Sequence, residues 1–283
     1  MKAHPLDYDF VEKHLLVDDL DIAYVDEGPR DSKKTPLVLV HGIGATLDHW
    51  ALVIPKLAES RRVVALDLPG FGRSAKPDLR YEPESFARTI DGFLRALSLD
   101  KILLAGHSMG GAIASEFTLM FPGRVERLVL VDAAGMTRMP AKILDFLLAQ
   151  FEKSVDPKKV QLPPRMVRAM AKMMFYEPHP FAERNIGRIL ASMGEGDWAD
   201  RVRSFVRAAT GLSRAQVRAR LSEFQLPTLI VWGERDRVLP LRHGRQLHAG
   251  IKGSRLVTFP RTGHCPQIER PERFMEVLEE FLS

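Results

Sequence analysis

Five apolar runs of strand length constrain the fold of this chain more than any other feature. Each run holds four residues drawn from Val, Leu, Ile, Ala and Trp, without the alternation of a half-exposed strand. This pattern is typical of strands buried on both faces of a parallel sheet. The runs are residues 37–40, 63–66, 102–105, 128–131 and 229–232. A β-hairpin over residues 15–25 precedes them and residues 256–259 form the last predicted strand, so we expect eight strands.

Helix-type segments separate the predicted strands. They cover residues 50–58, 85–97, 112–121, 242–249 and 274–281. Strands that alternate with helices predict an α/β fold with a doubly wound, mostly parallel eight-stranded sheet. The alternation stops after Val131, and residues 138–225 show an amphipathic, methionine-rich helical pattern with no buried-strand run. We therefore predict an α/β core over residues 1–137 and 226–283, with residues 138–225 inserted as a helical cap over the carboxyl ends of the strands.

Composition and charge exclude several classes of protein. No run of about 18 apolar residues occurs, and residues 1–13 lack the apolar region of a signal peptide, so we expect neither a membrane span nor secretion. The single cysteine, Cys265, predicts a reducing, cytoplasmic location. The net charge of +5 arises within residues 138–226, where 16 basic and 9 acidic residues interleave as on solvated helix faces. No aromatic-basic motif indicates nucleic-acid binding, and no His, Cys and carboxylate spacing indicates a metal site.

Residues 106–111 read GHSMGG and directly follow a predicted strand. A Gly-x-Ser-x-Gly sequence between a strand and a helix is typical of a nucleophile elbow, a sharp turn that exposes a serine hydroxyl. Gly106 and Gly110 remove the Cβ atoms that would clash in such a turn, and the helix N-terminus behind Ser108 favours developing negative charge. We therefore predict that Ser108 is a nucleophile.

A base and an acid follow two other predicted strands. His264 comes directly after the last strand, and Asp236 comes after the strand before it. Because the reactive groups of an open parallel sheet collect at the carboxyl ends of its strands, we expect these side chains to meet Ser108. His264 is the predicted base that accepts the serine proton, and Asp236 is the predicted acid that orients the imidazole. Asp132, after the strand 128–131, is the competing acid.

Two backbone amides are candidates for an oxyanion hole, since the tetrahedral intermediate of acyl transfer needs two N–H donors. The amide of Met109, directly after the serine, is the first. The amide of Ile43 is the second, because Gly42 and Gly44 let the loop after strand 37–40 turn it inward.

Four other features are interpreted as structural. His41 shapes its loop, and His107 points away from the nucleophile. The glycine-rich residues 67–74 lack the Gly-Lys-Ser/Thr ending of a phosphate-binding loop, so they form a turn. Cys265 is a small packed residue beside His264.

Together these motifs resemble the α/β-hydrolase superfamily from residue 15 to residue 282. The matching segments are residues 41–44, 67–74, 106–111, 233–236 and 263–264. The resemblance implies a Ser108–Asp236–His264 triad, no cofactor, and hydrolysis through an acyl-enzyme. The single glycine after His41 is similar to the oxyanion motif of capped bacterial esterases and lipases.

Sister families differ at single positions. Epoxide hydrolases and haloalkane dehalogenases carry Asp where Ser108 stands, and proline iminopeptidases usually carry Trp where Met109 stands. Hydrolases that cleave a C–C bond of ring-fission products share the Ser-Met-Gly-Gly sequence. They typically have Asn and Trp at the positions of His107 and Cys265.

The predicted cap is expected to determine the substrate. Six of the 11 methionines lie in it, and flexible thioethers line adaptable apolar pockets. The candidate substrate-binding residues are Met136, Met139, Met173 and Met174. We predict a serine carboxylesterase that acts on a small-molecule ester with an apolar acyl or alcohol group of short to medium length. The alternatives are a C–C bond hydrolase of ring-fission products and a non-catalytic ligand receptor or sensor on the same fold.

Overall fold

The structure, a computed structural model, describes residues 10–136, 149, 155–156, 159–160, 163–177, 179–181, 183–184, 187, 190 and 196–283. Within these residues eight strands form one sheet. They are β1 (Lys13–Val17), β2 (Leu20–Glu27), β3 (Leu37–Val40), β4 (Val63–Leu66), β5 (Ile102–His107), β6 (Val125–Val131), β7 (Thr228–Gly233) and β8 (Arg255–Phe259). Their order across the sheet is β1-β2-β4-β3-β5-β6-β7-β8.

The pairing of these strands confirms the predicted sheet. The β1–β2 hairpin and the β2–β4 pair are antiparallel, and every other neighbouring pair is parallel. Every residue of β3, β4, β5 and β7 is buried, which explains why these strands lack hydrophobic alternation. The carboxyl ends of β5, β6, β7 and β8 therefore lie side by side at one edge.

Helices connect the strands and cover both faces of the sheet. Those in the described part of the chain are α1 (Ile54–Ala58), α2 (Pro83–Ala96), α3 (Met109–Met120), α4 (Pro164–Met174), α5 (Trp198–Gly211), α6 (Arg242–Gly250), α7 (Pro266–Glu269) and α8 (Pro271–Leu282). Short 3₁₀ helices cover Leu47–Trp50, Leu212–Arg214, Val217–Ala219 and Leu221–Glu223. β3 illustrates the two cores: Val38 belongs to the core under α2 and α3, and Leu39 belongs to the core under α1 and α8.

Several predicted helix boundaries differ from the structure by a few residues, and two of these differences have identifiable reasons. The segment predicted as a helix over 50–58 is a 3₁₀ turn that ends at Trp50, followed by α1. α1 has a proline in its first turn, where a backbone amide would have no acceptor within the helix. α3 begins at Met109 rather than at residue 112. Gly111 has a low helix propensity but is required there, because a Cβ atom would lie 2.4 Å from the Cβ of Ala133.

Helices α4 and α5 lie between β6 and β7, in the segment predicted as a cap. α5 packs on the core, where Ser204 Oγ lies 3.1 Å from Tyr81 Oη. Gly211 fits against the same tyrosine, since a Cβ atom there would lie 2.1 Å from the Tyr81 carbonyl oxygen. Met139 and many other residues of the predicted cap lie outside the described residues. Among the described helices, none is both long enough and apolar enough to cross a membrane.

Candidate active site

Ser108 occupies a sharp turn between β5 and α3. Its φ of 54° and ψ of −120° are uncommon for a residue with a side chain, and such conformations cost about 1–3 kcal/mol. The Ser108 amide donates to the Val131 carbonyl at 3.0 Å. The Ser108 carbonyl accepts the amides of Gly111 and Ala134, both at 2.9 Å. These hydrogen bonds hold the strained backbone in place.

The glycines on either side of Ser108 are required by close backbone contacts. A Cβ atom on Gly106 would lie 2.2 Å from the Gly110 carbonyl oxygen, and one on Gly110 would lie 2.4 Å from the Val40 carbonyl oxygen. Neither distance is compatible with a side chain. The Gly-x-Ser-x-Gly spacing thus has the steric cause that the sequence predicted.

His264 and Asp236 are in direct contact. His264 Nδ1 lies 2.7 Å from Asp236 Oδ2, and both side chains are buried. Because a carboxylate only accepts, Nδ1 donates this hydrogen bond, and in the neutral tautomer with this proton Nε2 is the acceptor. Asp236 Oδ1 accepts the amides of Val238 at 2.7 Å and Leu239 at 2.9 Å. The carboxylate is therefore fixed by the loop after β7 and in turn fixes the imidazole.

His107 connects the serine turn to the histidine loop. Its Nε2 donates to the His264 carbonyl at 2.7 Å, and the two rings lie 4.8 Å apart. In the described part of the chain, Ser108 Oγ makes no hydrogen bond with His264. Catalytic hydrogen bonds commonly tighten only when substrate binds. The structure thus joins His264 directly to Asp236, and it places Ser108 beside them through the adjoining His107.

The two predicted oxyanion donors both lie next to Ser108 in the chain or in space. A Cβ atom on Gly42 would lie 2.9 Å from the Ser108 Cβ, so the loop that carries Ile43 passes directly beside the serine. Met109 is the first residue of α3, where an amide has no acceptor within the helix. Neither the Ile43 nor the Met109 amide donates a hydrogen bond to another described residue.

Three buried histidines near the site are held neutral. Burial lowers the pKa of His41, whose Nδ1 donates to the Gly42 carbonyl at 2.7 Å and whose Nε2 accepts the Leu68 amide at 2.9 Å. Burial also lowers the pKa of His49 to about 3. Burial, followed by the nearby His264, lowers the pKa of His107 well below its ordinary value. These positions fit the structural roles expected for His41 and His107.

Asp132, the competing acid, lies at the carboxyl end of β6 and makes no hydrogen bond to His264 within the described residues. Its Oδ1 accepts the Gly233 amide at 3.0 Å. One ligand atom from each of Asp132, Asp236 and His264 lies within 4.8 Å of the others, a spacing at which the three atoms could bind a metal ion. The sequence spacing did not reveal this group, because its members follow three different strands. Within this group, His264 Nδ1 and Asp236 Oδ2 are joined by a direct hydrogen bond, which is the arrangement of a base and its orienting acid.

The predicted substrate-binding methionines have different environments. Met136 is buried, and Met174 is half-buried with its carbonyl accepting the His264 amide at 2.7 Å. Met173 is 49% exposed. Met139 lies outside the described residues. α4 thus ends directly against the histidine loop.

Glu269 is a site residue that the sequence reasoning missed. Its Oε1 accepts the amides of Gly263 at 2.9 Å and Cys265 at 3.3 Å, and its Oε2 accepts the Tyr176 amide at 2.8 Å. Burial raises the pKa of this carboxyl, while the three amides favour its charged form. The available signal was its place as the one acid in a four-residue helix that starts at Pro266 and is followed, after Arg270, by Pro271.

The fold and the site together define a class of protein. A serine at a strand-to-helix elbow and an acid-paired histidine at the carboxyl edge of a doubly wound sheet are typical of α/β-type hydrolases. Residues 35–271 match the family model of the alpha/beta hydrolase fold. The chain therefore belongs to the α/β-hydrolase family and is a hydrolase of that fold.

Individual relatives support this assignment. A 2-hydroxy-6-oxo-2,4-heptadienoate hydrolase of Pseudomonas putida is 34% identical over 258 residues, covering 88% of this chain and 89% of the relative. The crystal structure of a membrane phospholipase A, a bacterial virulence factor, has a TM-score of 0.79 and 31% identity over 96% of this chain and 86% of its own. A probable hydrolytic enzyme of Pseudomonas aeruginosa has a TM-score of 0.85 and 27% identity, covering 99% of this chain and 96% of its own.

Proposed function

We propose that this protein is a serine hydrolase that cleaves carboxylic esters through an acyl-enzyme. The observation that carries the proposal is the 2.7 Å hydrogen bond between His264 and Asp236, with the strained Ser108 turn beside it. A serine hydroxyl is a weak nucleophile without a base, and this pair supplies an oriented one.

The proposed reaction has two halves. Ser108 Oγ attacks the ester carbonyl carbon while His264 Nε2 takes the hydroxyl proton, and the Asp236 carboxylate stabilises the imidazolium that forms. The carbonyl oxygen becomes an oxyanion, which accepts hydrogen bonds from the Ile43 and Met109 amides. The C–O bond to the leaving alkoxide then breaks, and His264 donates its proton to form the alcohol. Water hydrolyses the acyl-enzyme by the same steps, releasing the acid and restoring Ser108.

The β6–β7 insertion is proposed to act as a cap that selects an apolar substrate. The end of α4 contacts the histidine loop, and Phe175 and Phe181 pack with Ile268 and Cys265 behind it. In the described part of the chain, apolar side chains therefore pack against the loop that carries the proposed base. The proposed substrate is a small-molecule ester with an apolar acyl or alcohol group of short to medium length.

A panel of p-nitrophenyl esters from acetate to decanoate tests this function. The purified protein is expected to hydrolyse them with a maximum of kcat/KM at a short or medium chain, and Ser108→Ala is expected to abolish turnover. A folded Ser108→Ala variant that retained turnover would overturn the mechanism. Tight binding of esters with negligible turnover by the unmodified protein would favour a ligand receptor on this fold instead.

A C–C bond hydrolase is the second candidate, because a relative at 34% identity is named a 2-hydroxy-6-oxo-2,4-heptadienoate hydrolase. A solved meta-cleavage product hydrolase of Pseudomonas fluorescens also matches, with a TM-score of 0.77 and 26% identity. A dienoate ring-fission product run beside the ester panel distinguishes the two. A higher kcat/KM for the dienoate than for every ester would replace the ester proposal with this one.

A further inference from the structure

Asp132 has a position that packing of β6 alone does not explain. It follows the last residue of β6, is fully buried, and has a φ of 40°. This left-handed conformation is unfavourable for most side chains, and Asp and Asn tolerate it better than others. Its Oδ1 accepts the Gly233 amide at 3.0 Å, which ties it to the start of the loop that carries Asp236.

The second oxygen of Asp132, Oδ2, lacks the backbone donor that Oδ1 has. Oδ2 is buried, and no N–H or O–H group of the described residues donates to it. One oxygen of Asp132, one oxygen of Asp236 and one ring nitrogen of His264 lie within 4.8 Å of one another. Two buried carboxylates this close cannot both ionise without strong repulsion, so one proton stays between them.

The number of donors decides which carboxyl keeps that proton. Asp236 accepts the His264 Nδ1–H on Oδ2 and the amides of Val238 and Leu239 on Oδ1, so donors already occupy both of its oxygens. Asp132 accepts one amide, from Gly233. Burial, followed by the charge of Asp236, raises the pKa of Asp132 well above its ordinary value.

Other titratable groups around the pair act in the same direction. The Glu269 carboxyl lies close enough to contribute to the raised pKa of Asp132. Cys265 is buried beside the cluster, and burial, together with Glu269, Asp132 and Asp236, raises the pKa of its thiol, which is therefore neutral.

We propose that Asp132 is a positioning residue whose neutral carboxyl donates an O–H hydrogen bond from Oδ2 to the Asp236 carboxylate. Asp132 is then not a second acid for His264 but the group that holds Asp236 toward the imidazole. The catalytic consequence rests on the proposed function of Ser108, His264 and Asp236. The protonation state of Asp132 does not.

Two substitutions of Asp132 separate donation from simple packing. Asp132→Asn keeps an N–H donor toward Asp236, an acceptor for Gly233, and a side chain that tolerates the positive φ. Its kcat is expected to stay within about threefold of the unmodified protein. Asp132→Gly also accepts the positive φ but removes both hydrogen bonds, and its kcat is expected to fall about 10–100-fold with KM unchanged. Asp236→Asn is expected to lose about 10⁴-fold in kcat, as for an orienting acid.

Infrared spectroscopy tests the proton without any turnover. The difference spectrum between the unmodified protein and Asp132→Asn at neutral pH is expected to show the C=O stretch of a protonated carboxylic acid. Glu269→Gln is the matched control, because Glu269 is also a buried carboxyl with a raised pKa. The spectrum of Glu269→Gln is expected still to contain the C=O band assigned to Asp132. An absence of the band in the Asp132 difference spectrum would overturn the proposal, even if the protein were not an esterase.

The kinetic measurements also either support or overturn the proposal. Near-normal turnover in Asp132→Asn together with a low kcat in Asp132→Gly supports the proposal. A loss in Asp132→Asn as large as in Asp236→Asn would make Asp132 a charged acid and overturn it. Full activity in Asp132→Gly would reduce Asp132 to a packing role and overturn it as well. If Asp132→Gly does not fold, Asp132→Asn and the infrared band still decide.

Discussion

The backbone amide of His264 donates a 2.7 Å hydrogen bond to the carbonyl of Met174, the last residue of α4. The loop that carries the proposed base is thereby joined to the β6–β7 insertion. Glu269 reinforces this connection by accepting amides from both sides, Tyr176 on one and Gly263 and Cys265 on the other. Movement of this part of the insertion would therefore disturb His264.

Replacing Glu269 tests that connection. Glu269→Gln puts an NH₂ group where an oxygen accepts a backbone amide, so at least one buried donor loses its acceptor. We expect the free energy of unfolding to fall by about 1–3 kcal/mol, measured by urea denaturation, and kcat to fall with it. Glu177→Gln is the control, because Glu177 forms exposed ion pairs with Arg261 and Arg270, and exposed ion pairs contribute little to stability. Equal effects of the two substitutions would contradict the role assigned to Glu269.

A methyl group at Gly42 should impair catalysis more than folding. The new Cβ atom would lie 2.9 Å from Ser108 Cβ and 3.3 Å from His107 Nδ1, so the serine turn must shift by a few tenths of an ångström. We expect Gly42→Ala to lower kcat by about 10–100-fold and the free energy of unfolding by about 1–3 kcal/mol. Among the described residues no atom lies within 4 Å of a methyl group added at Gly196, so Gly196→Ala is expected to change neither quantity. A normal kcat in Gly42→Ala would show that the loop does not approach Ser108 this closely.

Much of the fold could be predicted because the apolar runs have one physical explanation. A run such as β3, with every residue buried, fits only the centre of a covered sheet. Helix starts were less predictable. Gly111 lies inside α3 because Ala133 leaves no space for a side chain, and that contact depends on a neighbouring strand.

The residues of the site were likewise predictable from the sequence only in part. Ser108, Asp236 and His264 could be proposed from their places after strands, since parallel strands bring their carboxyl ends together. The position of Glu269 could not, because it accepts backbone amides whose directions depend on loop conformation. Asp132 was recognised only as a competitor of Asp236, and its contact with that residue requires the β6–β7 pairing. The predicted cap was the least readable part, since amphipathic helices alone do not specify what they cover.

Acid should destabilise the protein through its buried histidines. His49 has a pKa of about 3 in the folded chain against an ordinary 6.5, so between these values the unfolded chain binds more protons. Its contribution to stability is complete above pH 6.5 and is lost as the pH falls toward 3. At about pH 5 the loss from His49 amounts to about 2 kcal/mol. Urea denaturation at about pH 7.5 and pH 5 measures it.

The matched comparison uses two glutamine variants. His49→Gln is expected to lose less stability on acidification than the unmodified protein. His14→Gln is expected to lose more, because the hydrogen bonds that the His14 ring donates to Glu12 and Asp21 raise the pKa of His14 and make its protonation favour the folded state in acid. An identical pH dependence in His49→Gln and the unmodified protein would contradict the buried, neutral state of His49.

The most direct test of the account is to find the atom that becomes acylated or phosphonylated. Intact-mass spectrometry after treatment with a fluorophosphonate is expected to show one adduct per chain, and peptide mapping is expected to locate it on Ser108. Ser108→Ala should remain unlabelled, and His264→Gln should label far more slowly because the hydroxyl has lost its base. Stoichiometric labelling of a folded Ser108→Ala variant, or an adduct on any other residue, would contradict the assignment of Ser108 as the nucleophile.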